Sequence, residues 1–198
     1  MRDRRVRLVF RPYVSYKFLN SFVTGVVGTS VFSIYGSLPP ITFSVGGVAL
    51  ALGLMLIAWL YPRIATLSWF YRINLSVEVV MLFLFGWYLL FKTTQITPLL
   101  IYVGYQLTFV FGGYLVRIET LAARKVWLLG VIDRVKQTGY LAGLFASFLF
   151  YLGSEKMGIT SSNEQLHALY AMLLVLQLFV VLTLIASFKR LPRSCPVT

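Results

Sequence analysis

Glu78 is the acidic residue of this chain that stands well inside a long apolar stretch, the run from Trp69 to Phe91. An ionisable group at such depth is expensive to keep and by default marks a function. Asn74 lies four residues earlier, one helical turn away on the same face, within reach of a hydrogen bond to the carboxyl. Two chemistries fit: a carboxyl that binds and releases a coupling proton, or a protonated acid that ties its helix to a neighbour. Little else in the chain is reactive. It has one cysteine, Cys195, one histidine, His167, and six acidic residues in all. These exclude a disulfide framework, a thiol redox centre, and a His-rich or acid-rich metal site, so neither a metal nor a cofactor is expected. No nucleophile–base pair can be assembled from them, and an enzyme is not expected either.

The elements that must position Glu78 are membrane helices. The chain is 59% hydrophobic, above the level of soluble domains, and a span needs roughly 20 apolar residues to cross about 30 Å of hydrocarbon. Spans are expected at 18–36, 41–61, 69–91, 98–118, 127–153 and 166–188, flanked by a basic interfacial arm at 1–17 and a tail at 189–198. The transmembrane domain thus covers 18–188, and the fold class is an all-α polytopic bundle. Strands are excluded on the length of the apolar runs, since barrel strands would alternate every second residue. Pro39-Pro40 makes a tight turn, Pro62 ends the second span, Pro98 opens the fourth, and Ser161 with Glu164 is spaced as a capping box.

Charge sets the orientation. All 18 Lys and Arg residues except Lys92 and Lys156 fall in four alternate gaps between the apolar runs. Translocation of basic residues is disfavoured, so those gaps read as cytoplasmic and both termini as inside, in what is expected to be a bacterial inner membrane. The net charge of +12 is distributed by membrane side rather than along one soluble face. It therefore points to anionic lipid, worth about 1 kcal/mol per basic residue near the surface, and not to nucleic acid. Trp59, Trp69, Trp87 and Trp127 crowd the expected interfaces as an aromatic belt.

Three further patterns stand out. The first span carries a small, polar stripe of Ser21, Thr24, Gly25, Gly28, Thr29 and Ser33, and the fourth brings Tyr102, Tyr105, Gln106 and Thr108. The fifth has Gly130, Gly139 and Gly143 in a G-x8-G-x3-G spacing, small residues that let helix backbones approach in lipid. That stretch resembles the fifth-helix glycine motif of the major facilitator superfamily, with Leu144 where the family has proline and Ser147-Phe148 in place of a glycine pair. The segment from Ala58 to Ala65 is similar to the family's loop between helices 2 and 3. Leu60 and Arg63 match it, alanines replace both glycines, and Pro62 stands at the acidic position. Arg117 occupies the end of helix 4 where a charge relay would look for an arginine.

The resemblance is to the N-terminal six-helix half of such a transporter. It implies that helices 1 and 4 line the cavity, making Ser21, Thr24, Gly28, Tyr102, Tyr105 and Gln106 the lining candidates. Gly130, Gly139 and Gly143 then serve helix packing. Arg63, Arg117, Asp133 and Arg134 are the candidates for gating at the cytoplasmic side. One half has no second wall, so a parallel homodimer is expected, or pairing with a separate second half, around a small neutral or amphiphilic solute. The competing expectations are a substrate-capturing membrane subunit of an energy-coupling-factor-type importer, also a six-span chain of this length, and a non-transporting membrane scaffold.

Overall fold

The computed structural model describes residues 6–36, 38–91, 96–123 and 125–190. The first residues of the expected arm (1–5), the Ser33 side chain and the tail at 191–198 with Cys195 lie outside the described residues. Six helices make up nearly all of the rest: α1 (Phe10–Tyr35), α2 (Pro40–Ile64), α3 (Leu67–Phe91), α4 (Ile96–Ala123), α5 (Val126–Lys156) and α6 (Ser162–Ala186). Among them α2, α3, α4 and α6 are long and apolar enough to cross a bilayer, as in an integral membrane protein. The helices α1 and α5 are long but more polar, α1 through Asn20, Ser21, Thr24 and Thr29, and α5 through Asp133, Arg134, Lys136 and Gln137.

Helix ends follow local chemistry, with three departures from expectation. Pro40 opens α2 and Pro98 sits in the first turn of α4, where a missing N–H costs nothing. Pro62, expected to end the second helix, lies inside its last turn, and α2 runs on to Ile64. Ser161 is the N-cap of α6 but its side chain makes no capping bond; the Glu164 N–H turns to the Ser161 carbonyl at 3.1 Å. The third departure is a pair of short strands where none was expected, β1 (Val6–Leu8) and β2 (Phe188–Arg190). They are antiparallel, with Val6 opposite Arg190 and Leu8 opposite Phe188. The length of the apolar runs bears on the long helices; it says nothing about two short segments flanking α1 and α6 that come side by side and pair their backbones.

The β1–β2 ribbon brings both ends of the described chain to one end of the bundle. The other basic segments gather there too. Phe188 packs against Phe70 and Tyr71 at the start of α3, ring centroids 6.0 and 4.8 Å away. Phe10 meets Trp127 at the start of α5, and Tyr13 bonds Glu119 near the end of α4. Odd-numbered helices therefore start, and even-numbered helices finish, at this basic end.

Side by side, the helices run in the order α5, α1, α6, α3, α4, α2. This pairing has an internal symmetry. Exchanging α1 with α4, α2 with α5 and α3 with α6 turns the α1–α5 contact into α4–α2 and α1–α6 into α4–α3, and leaves α3–α6 in place. The first three helices and the last three thus have matching neighbours while running in opposite senses. Glycines sit at both outer contacts. A Cβ on Gly139 or Gly143 would collide with the backbone carbonyl oxygen of Phe18 or Phe22, and one on Gly25 with that of Tyr140. On the other flank, Gly46 and Gly53 of α2 face the side chains of Tyr102 and Val110 in α4. The α1–α5 contact is therefore backbone against backbone, and the α2–α4 contact is mediated by side chains.

Candidate functional site

The middle of the bundle holds a polar cluster around Glu78, which is 2% exposed. It is built from α1, α3 and α6. One carboxylate oxygen accepts from the Tyr16 hydroxyl and from Asn20 Nδ2, both at 2.6 Å. The other accepts from Gln177 Nε2 at 2.8 Å, and the same amide reaches the Glu78 carbonyl at 3.0 Å. A buried carboxyl needs partners on both oxygens, and two neighbouring helices supply them. Asn74 was read as within reach of a hydrogen bond to Glu78. Instead the two share Tyr16, whose oxygen lies 2.9 Å from Asn74 Oδ1, because consecutive turns of α3 point both side chains at α1 rather than at each other. Asn74 Nδ2 is buried and has no hydrogen-bond partner among the described residues.

One turn nearer the basic end lies a second cluster that sequence reasoning missed. Glu119 of α4, 5% exposed, accepts from the Tyr13 hydroxyl at 2.7 Å. Lys17 of α1 stands 3.1 Å from it and Lys136 of α5 3.8 Å from its other oxygen. Lys17 also lies 5.3 and 5.6 Å from the ring centroids of Tyr13 and Tyr16, so a cation is held between aromatic faces and a carboxylate. The Tyr13 and Tyr16 rings are 5.7 Å apart and join the two clusters. Glu119 is thus faced by two ammonium groups, and pairing of this kind is the condition for keeping a charge buried. A cavity of about 170 Å³, lined by Tyr13, Glu119, Phe10, Phe70 and apolar neighbours, reaches this cluster from the basic end. That volume admits several waters beside a charged group.

Glu119 and Lys17 were missed because each lies one residue outside the expected span boundaries at 118 and 18. In the structure α4 continues to Ala123 and α1 starts at Phe10, so both fall inside helices. A signal was present: Tyr13, Tyr16, Lys17 and Asn20 repeat at the three- and four-residue spacing of one helix face.

The other expected site residues are dispersed. Thr24 is exposed and its hydroxyl returns to the Asn20 carbonyl; Ser21 is half-buried; Gly28 faces the Tyr140 hydroxyl on α5. On α4, Tyr102 is buried edge-on to Tyr35 and Phe43, while the Tyr105 hydroxyl and Gln106 Oε1 are buried without partners. Gly139 and Gly143 lie in the α1–α5 contact, whereas Gly130 faces open space. The gating candidates do not meet. Arg63 is exposed, Arg117 lies over the Tyr61 ring at 5.4 Å, and Arg134 bonds its own helix at Gly130. Asp133 alone reaches the Glu119 cluster, 3.8 Å from Lys136. Compared with protein-family models, curated proteins and solved structures, the chain matches none of them.

Proposed function

We propose that this chain is one half of a secondary transporter: a six-span bundle, termini in the cytoplasm, that pairs in parallel with a second copy to enclose a pathway for a small solute. The observation that carries this reading is the exchange symmetry of the helix packing. Two three-helix units of opposite sense with matching neighbours are similar to the 3+3 inverted repeats nested in the six-helix halves of some secondary transporters, where a second parallel half supplies the other wall. The gathering of basic segments at one end supports a cytoplasmic placement of that end. Although α1 and α5 are the more polar helices, α1 lies between α5 and α6, and α5 is held to α1 backbone to backbone. This packing supports reading both as part of the spanning layer. Glu78, with donors from two neighbouring helices, is the candidate coupling carboxyl.

Native mass spectrometry of the nanodisc-embedded protein tests the assembly. A particle near twice 22.5 kDa supports two parallel halves. A monomer that retains a solute tightly overturns the reading in favour of a substrate-capturing subunit.

A further inference from the structure

The Tyr16 oxygen lies 2.6 Å from Glu78 Oε1 and 2.9 Å from Asn74 Oδ1. Both are acceptors in this arrangement, and a phenol has one hydrogen to give. Next to this pair, Asn74 Nδ2 is the buried donor without a partner. An amide's two ends are nearly the same size, so Asn74 can turn over in place without changing its packing.

Two arrangements satisfy the Tyr16 oxygen, and they differ by one proton. With Glu78 ionised, Asn74 turns its Nδ2 to the Tyr16 oxygen, and Tyr16 donates to the carboxylate. With Glu78 protonated, the carboxyl donates to the Tyr16 oxygen, Tyr16 swings its own hydrogen to Asn74 Oδ1, and Gln177 continues to donate to the second carboxyl oxygen. Tyr16 keeps its proton throughout; the added proton resides on Glu78.

We propose that Tyr16 and Asn74 form a reversible hydrogen-bond switch that reads whether Glu78 carries a proton. The inference rests on the reading of Glu78 as the coupling carboxyl and deepens it, naming the proton as the ion and Tyr16 as the positioning residue. The groups facing Glu78 fit. From α1 come Tyr16 and Asn20, with Lys17 behind them held to Glu119 of α4; from α6 comes Gln177; from its own helix comes Asn74. Asn20 and Gln177 direct N–H groups at the carboxyl oxygens.

Difference infrared spectroscopy of the nanodisc-embedded protein between acidic and alkaline buffer tests this. Glu78→Gln assigns the carboxyl band, ring-labelled tyrosine with Tyr16→Phe assigns the phenol mode, and Asn74→Leu assigns the side-chain amide mode. The carboxyl band is expected to appear and vanish together with shifts in both other modes. Tyr16→Phe is expected to change the proton affinity read from that band by about tenfold, one pH unit. A titrating carboxyl with unmoved tyrosine and amide modes overturns the switch alone. A carboxyl band that never titrates, or one that yields to sodium instead, overturns the proton reading of Glu78 and the switch with it. Tyr16→Phe removes one atom and serves as the measurement should Asn74→Leu fail to fold.

Discussion

Replacing Gly143 by alanine gives the sharpest test of how this bundle is held. Outside any tertiary contact, alanine in a helix is better than glycine by about 0.5–1 kcal/mol, because it loses less backbone entropy. At Gly143 the added carbon meets the Phe22 backbone oxygen. An ordinary carbon–oxygen approach is about 3.3 Å, so α1 and α5 must part by roughly 1 Å, and a backbone oxygen cannot rotate aside. Overpacking of this kind costs about 1–3 kcal/mol, which outweighs the propensity gain. Gly130→Ala is the control, since that position faces open space on the same helix and only the gain applies. The two substitutions should therefore move stability in opposite directions. The assay is thermal unfolding in detergent, followed by tryptophan fluorescence. Gly143→Ala should melt a few degrees below the parent and Gly130→Ala at or slightly above it. Gly25→Ala, which meets Tyr140 from the other side of the contact, should behave like Gly143→Ala. Equal shifts at 130 and 143 would refute the close α1–α5 packing.

Other outcomes are expected from the polar clusters and the topology. Lys17→Met leaves Glu119 buried with one weaker cation and should cost about 3 kcal/mol or more in chemical unfolding, while Lys17→Met with Glu119→Gln should recover much of that loss. Absence of recovery would show that the pair does not interact. Glu78→Gln should fold and assemble like the parent, since an amide retains much of the hydrogen bonding, yet abolish proton uptake in a solute-driven flux assay; retained uptake would remove Glu78 from the coupling role. In a Cys195→Ser background, Met157→Cys, at an 81% exposed position between α5 and α6, should react with an impermeant maleimide added outside intact cells. Arg72→Cys, at the basic end, should react only after the membrane is opened. The reverse pattern would invert the orientation.

Much of the architecture was legible in one dimension, because it depends on local composition. Apolar run length marks a helix that can span a bilayer, basic gaps mark one side of it, and a lone acid inside an apolar run marks Glu78. The G-x3-G spacing likewise announces a close helix contact whatever its partner. What tertiary structure decided was which faces meet. Nothing in the spacing of Gly139 and Gly143 names Phe18 and Phe22 as the residues they approach. The Glu78 partners Tyr16, Asn20 and Gln177 lie 62, 58 and 99 positions away in the chain, and only packing brings them together. Glu119 and Lys17 show the reason most plainly. A span boundary drawn from hydropathy falls where charge begins. Two opposite charges on adjacent helices can cancel, and the helices then carry them past that boundary into the protein interior.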